Sequence, residues 1–192
     1  MLRFAISAES SGPFPLPGQH NRATELIALR IVTLPENKVV CDKVFTRSDG
    51  QFIRFEKNST TEDMVIGRPS FVEKAHNIAP LIMHKDDKGN FDTVFFCFGK
   101  GFYEELFRRY GLFRDGLFVD LLPAVRDIRD LQARANMPSN AAGSKLPTID
   151  EVASFFGVDW PKVPTPRDKT ELILDVFNWR QESMNRLGRG QS

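Results

Sequence analysis

The sequence has little of what small folds use in place of a large core. It contains two cysteines, Cys41 and Cys97, far apart along the chain. That excludes a disulfide framework and a thiolate zinc site, and predicts buried free thiols in a reducing compartment. Three histidines, His20, His76 and His84, are scattered without the spacing of metal ligands. No apolar run reaches the roughly 18 residues that a membrane-crossing helix needs, and no signal-peptide pattern precedes the first strand. The expectation is therefore a cytoplasmic or nucleoid-like setting with no membrane partner. Formal net charge is only +1, so no global field advertises nucleic acid. Neither an internal repeat nor a low-complexity tract is present. Tyrosine and tryptophan are scarce, two of each, against 17 phenylalanines. Phenylalanine fills cores without needing a polar partner, so the excess signals packing.

What is present reads as strands first, then helices and strands in alternation. Residues 2–7 form an apolar strand, and 8–22 a loop rich in Ser, Gly and Pro. Residues 24–34 and 39–46 read as second and third strands around a turn at 35–38, giving an antiparallel meander. Residues 52–55 suggest a further extended piece. An apolar period through Phe71, Ala75, Ile78 and Ile82 predicts a helix over 70–84. Residues 91–98 are the most strand-like run and read as buried on both faces. Helices are expected over 101–110, 123–135, 148–157 (with a Thr148 to Glu151 capping box) and 168–187, and a short strand over 117–121. On the last helix, Leu172, Asp175, Val176 and Trp179 fall on or near one face. Residues 136–147 read as a polar loop. Residues 1–187 are expected to form a single domain and 188–192 a frayed tail. The order implies an α/β fold, a mixed sheet flanked by helices.

The motifs point further. Ile6-Ser7-Ala8-Glu9-Ser10-Ser11-Gly12 resembles the Asp-x-Glu-Thr-x-Gly opening of DEDD-type 3′–5′ exonucleases, with Ser7 at the first aspartate. Pro69-Ser70-Phe71-Val72-Glu73 is similar to the stretch before the second motif of that family. Phe95 to Tyr103 is similar to the second motif itself, with Phe102-Tyr103 where the family has Phe-Asp. Phe118-Val119-Asp120-Leu121-Leu122 resembles the segment that follows. Ile149 to Val158 is similar to the helix before the third motif. Glu171 to Asp175 sits where that motif ends, with Thr170 in place of its histidine. The resemblance covers roughly residues 2–187 and implies a ribonuclease H-like architecture.

The resemblance also implies a chemistry, two-metal hydrolysis of a terminal phosphodiester. Two divalent ions about 3.5–4 Å apart activate water and stabilise the leaving oxygen. Magnesium or manganese takes hard oxygen ligands, hence four carboxylates. Here Glu9 and Asp175 are the retained candidates for a weakly held metal. Ser7, Tyr103 and Thr170 complete a vestigial site, while Ser10, Gly12 and Phe102 are candidate substrate contacts. Glu104, Glu105, Asp120, Asp168 and Glu171 could supply shifted carboxylates, although each reads more simply as a helix face or a cap. Gly99-Lys100-Gly101 could approach a phosphate, but a strand-to-helix turn explains it as well. Arg108, Arg109, Arg114, Arg126, Arg129, Arg134, Arg180, Arg186 and Arg189 interleave with acids and read as solvated faces.

The reading is an exonuclease-like domain that has lost two-metal catalysis. It is expected to need no cofactor and to act by binding a nucleic-acid end or a protein partner within a larger complex. One alternative is an active, divergent exonuclease dependent on Mg²⁺ or Mn²⁺. Another is a structural interaction subunit, with Phe102, Phe107, Phe113 and Phe118 as the candidate apolar patch.

Overall fold

A computed structural model describes residues 1–12, 24–125 and 147–189. Five strands form one mixed sheet in the order β3-β2-β1-β4-β5. They are β1 (Leu2–Ser10), β2 (Leu26–Thr33), β3 (Val39–Val44), β4 (Thr93–Cys97) and β5 (Phe118–Asp120). β1 pairs antiparallel with β2 and parallel with β4. β2 pairs antiparallel with β3, and β4 parallel with β5. This is the mixed sheet flanked by helices that the element order predicts.

The central strand β1 is covered on both sides, which is why residues 4–10 are all buried. Successive side chains alternate between faces. Phe4, Ile6 and Ala8 enter one core with Leu29, Ile31, Phe95, Leu106 and Phe107. That core is covered by α4 (Lys100–Arg109), by α2 (Phe71–Lys74) and α3 (Ala79–Ile82), and by the 3₁₀ turn Ala75–Asn77 between these two. The short helix α1 (Glu62–Val65) precedes them. Ala5 faces the other way with Val32, Leu34 and Phe98. Val152 and Ala153 of α5 (Ile149–Phe155) and Leu172, Ile173, Val176 and Phe177 of α6 (Pro166–Arg189) complete this second core.

Several boundaries differ from the sequence reading. β1 runs three residues further than its apolar run, because Glu9 still pairs with Ala28 and, past a bulge, Ser10 with Leu26. The helix expected over 70–84 is broken into three pieces. Pro80 has no N–H to continue the ladder, so a new helical turn starts around it. A Ser70–Glu73 capping box starts the first piece. Residues 52–55 form no strand. Residues 122–125 are helical, and the rest of the helix expected to 135 lies outside the described residues, as does most of the loop expected to 147. The Thr148–Glu151 capping box is present, and Gly157 follows that helix at φ +68°, a conformation glycine adopts freely. The last helix extends to Arg189; residues 190–192 of the expected frayed tail are outside the described set.

One cross-strand cap joins the sheet to α4. The Asp120 carboxylate accepts from the amides of Gly99 and Lys100, each at 3.1 Å, and from Leu122 at 3.0 Å. It satisfies donors at the start of α4 that the helix cannot pair. Asp120→Ala should therefore cost about 1–2 kcal/mol, the upper range for a lost helix cap. Urea unfolding of the two proteins measures this, and an unchanged midpoint would contradict it.

Candidate functional site

Ser7 and Glu9 lie two apart on β1, so both point to the α6 side of the sheet. Each is fully buried. A carboxylate buried in this way must be compensated. Glu9 Oε1 accepts from the Ser59 amide at 3.0 Å and the Ser59 hydroxyl at 2.8 Å. Glu9 Oε2 accepts from the Thr60 amide at 3.0 Å and the Thr60 hydroxyl at 2.6 Å. Two successive residues thus clamp both oxygens with main chain and side chain. Lys169, in the first turns of α6, brings its ammonium to 3.9 Å from Oε1. Burial lowers the Lys169 pKa below the usual lysine value, and the charges of Glu9 and Asp168 oppose that shift. Sequence reasoning did not single out Ser59, Thr60 or Lys169. The available signal was Lys169 itself, a cation beside Thr170 in the third motif.

Thr170 is buried and fully engaged. Its hydroxyl donates to the Arg167 carbonyl at 3.0 Å and accepts from Arg30 Nε at 3.1 Å. Arg30 lies opposite Ser7 in the β1–β2 register, and its guanidinium continues to the Asp42 carboxylate. Thr170 is thereby part of a strand-to-helix tie.

Tyr103 projects from α4 into the first core, between Phe102 and Phe118, with ring centroids at 5.0 and 5.7 Å. Its hydroxyl lies near Ala8 and Ser7 of β1. The approach to Ser7 falls short of hydrogen-bond geometry, and Ser7 Oγ is a buried hydroxyl with no partner. Burial, reinforced by the neighbouring Cys97, holds the Tyr103 phenol far above its usual range.

Asp175 is not brought to Glu9. At 100° per residue it lies about 120° or more around α6 from Lys169 and Thr170. It falls on the exposed side, while Leu172, Ile173, Val176 and Phe177 pack inward. This corrects the expectation that Asp175 shares the face of Leu172 and Val176. Partial shielding, and then the Glu171 charge, raise the Asp175 carboxyl above its usual range. The shifted carboxylates are engaged elsewhere. Asp168 accepts from the Thr165 amide and hydroxyl, both at 2.7 Å, at the start of α6. Glu171 pairs with Arg167, Glu105 with Arg108 and Arg109, and Glu104 lies 3.9 Å from Lys100. Asp120 caps α4, so the turn Gly99-Lys100-Gly101 presents its amides to a carboxylate of the chain itself. Of the expected substrate contacts, Ser10 donates its hydroxyl to the Gly12 carbonyl at 3.0 Å, and Phe102 packs half-buried against the first core. Among the described residues no group of three or more His, Cys, Asp or Glu side chains converges.

Glu9→Ala should destabilise the fold by about 3–5 kcal/mol, since it leaves the Ser59 and Thr60 donors and the Lys169 ammonium uncompensated. Glu9→Gln should cost less; chemical denaturation ranks the two, and equal midpoints for wild type and Glu9→Ala would refute the clamp. A second expectation concerns alkali. Both tyrosines of the chain, Tyr103 and Tyr110, are raised above the ordinary 10.0 first by burial. A phenol with a raised folded pKa keeps its stabilising contribution below pH 10 and loses it above, because the unfolded chain releases its proton first. Phenolate absorbance should therefore appear together with loss of far-ultraviolet dichroism. A tyrosine titrating near 10 in a still-folded protein would contradict this.

No protein-family model and no curated protein matches this sequence. Solved structures do. A product-bound structure of exonuclease I superposes with a TM-score of 0.61 at 13% identity, over 91% of this chain and 42% of that one. The complex of exonuclease I with SSB-Ct gives 0.62 at 13%, over 91% and 40%. A 3′-exonuclease described for 3′-end specific recognition of a histone mRNA stem-loop gives 0.57 at 12%, over 95% and 82%. The chain spans about two fifths of exonuclease I. At these identities the likeness establishes the fold alone: a ribonuclease H-like α/β fold shared with exonuclease I and with this 3′-exonuclease. It transfers no chemistry.

Proposed function

We propose that this chain is an exonuclease-like domain without two-metal catalysis, which works by binding a nucleic-acid end or a protein partner. The observation that carries the reading is the state of Glu9. All of its strong acceptor directions are taken by Ser59 and Thr60, and Lys169 brings its positive charge to the same carboxylate. The donor set fits a pair of dications badly. Ser7 and Tyr103 are neutral, Thr170 is spent on Arg30 and Arg167, and Asp175 faces away. A lysine ammonium supplies one positive charge without an open coordination position for water. Tyr103 fills with an aromatic ring the place where the family pattern has a carboxylate. Neighbours of the same fold include one solved with SSB-Ct and one described for recognition of an mRNA stem-loop. They support binding of a nucleic acid or a protein as the retained role.

The test is a nuclease assay on 3′-hydroxyl, 5′-labelled single-stranded DNA and RNA with Mg²⁺ or Mn²⁺, beside a Glu9→Gln/Asp175→Asn variant. The expected result is intact substrate with both proteins, and a melting temperature that neither metal raises. Shortening from the 3′ end by the wild type, lost in the variant, would establish instead an active, divergent metal-dependent exonuclease. Anisotropy titrations of the same oligonucleotides at low and high salt then separate the two binding roles. Salt-dependent binding marks a nucleic-acid site, and its absence leaves a protein partner.

A further inference from the structure

β3 is an edge strand of the sheet, with no strand paired to its outer side among the described residues. In an antiparallel pair, alternate residues turn their main-chain groups to the partner and away from it. The Phe45 amide donates to the Ile27 carbonyl at 2.8 Å, so the groups of Val44 and Asp42 that do not meet β2 face outward. Just past the strand the outward amide of Thr46 meets the Pro69 carbonyl at 3.2 Å, in a single parallel bridge between Thr46 and Ser70. The outer edge therefore already accepts extended main chain at its end. Along Asp42–Val44 it has no strand partner among the described residues.

A groove of about 680 Å³ runs beside this edge. Its apolar wall is built from Ile31, Phe45 and Ile78, and its rim carries Lys43, Arg68 and Lys74. All three cations are exposed, and no ion pair is formed by any of them among the described residues. The lining carboxylate, Asp42, is already paired with Arg30. The site thus offers unpaired strand hydrogen bonds, an apolar trough and uncompensated positive charge.

We propose that the β3 edge and this groove bind an extended acidic peptide segment of another protein, added to the sheet as a sixth strand. Main-chain pairing would supply affinity, alternate apolar side chains would enter the groove, and acidic side chains would meet the cationic rim. A phosphodiester backbone fits less well. It brings no donors for the outward carbonyls of β3 and gains nothing from the apolar wall. Self-pairing fits less well too, because it would bring two copies of the same cationic rim to one seam. Lysine on an edge strand discourages such pairing, and an oppositely charged strand is the partner it still admits.

The experiment is fluorescence anisotropy with short dye-labelled peptides that alternate aspartate with leucine or valine, against matched peptides with lysine for aspartate. Acidic peptides should bind and lysine peptides should not. Lys43→Glu/Arg68→Glu, both at exposed positions, should weaken binding about tenfold or more. Val44→Pro removes an outward donor while sparing the β2 ladder, and it should abolish binding in a protein whose thermal unfolding remains cooperative. The proposal is overturned if acidic and basic peptides bind alike, or if neither binds. It is equally overturned if the charge-reversal variant binds unchanged, or if an oligonucleotide occupies the groove more tightly than any peptide. Sedimentation showing a dimer that Val44→Pro dissociates would assign the edge to a second copy and also overturn it.

Discussion

A carboxylate inside a two-sided sheet is costly unless every lone pair finds a donor and the charge finds a counter-charge. Glu9 sits in that position, on the central strand, with a layer of structure on either face. The demand it creates is met from two distant parts of the chain. Ser59 and Thr60 come from the irregular segment after β3, and Lys169 from the start of α6. Glu9 therefore fixes both the loop that closes over the sheet and the helix that covers it. Arg30 adds a second tie beside it, linking β2 to Thr170 of the same helix. The polar side of β1 is held by charge and hydrogen bonds, while the opposite side is held by phenylalanines.

The same constraint bears on chemistry. Two-metal hydrolysis needs carboxylate oxygens that remain free to bind hard cations and exchange water. In the proposed reading the Glu9 oxygens are committed instead to four protein donors. Two further positions that the motif comparison singles out are engaged within the protein. Tyr103 joins the aromatic cluster around Phe118, and Thr170 becomes an acceptor for Arg30. Ser7 is the residue left over, a buried hydroxyl without a partner of its own.

Much of the architecture was legible because it depends on local signals. Strand-forming runs, the Thr148 capping box and the amphipathic last helix each follow from the identity of near neighbours. The errors came where a local pattern met a non-local demand. The apolar run of β1 stops before Glu9, yet pairing with Ala28 and Leu26 carries the strand on to Ser10. The apolar period of 70–84 is genuine, but Pro80 divides it into short pieces. Asp175 occupies the right place in the sequence motif, and a helix rotation of one or two residues decides which side chain meets the sheet.

The sequence alone determined the element order, the mixed α/β class and the neutral side chains at Ser7, Tyr103 and Thr170. These rest on residue type and spacing, which need no knowledge of distant contacts. Tertiary structure decided which groups surround Glu9. Lys169 is 160 positions from Glu9, and Ser59 and Thr60 are about fifty, so no spacing rule links them. They meet because a buried charge selects whichever donors the folded chain can deliver, and only the assembled sheet and helix fix which those are.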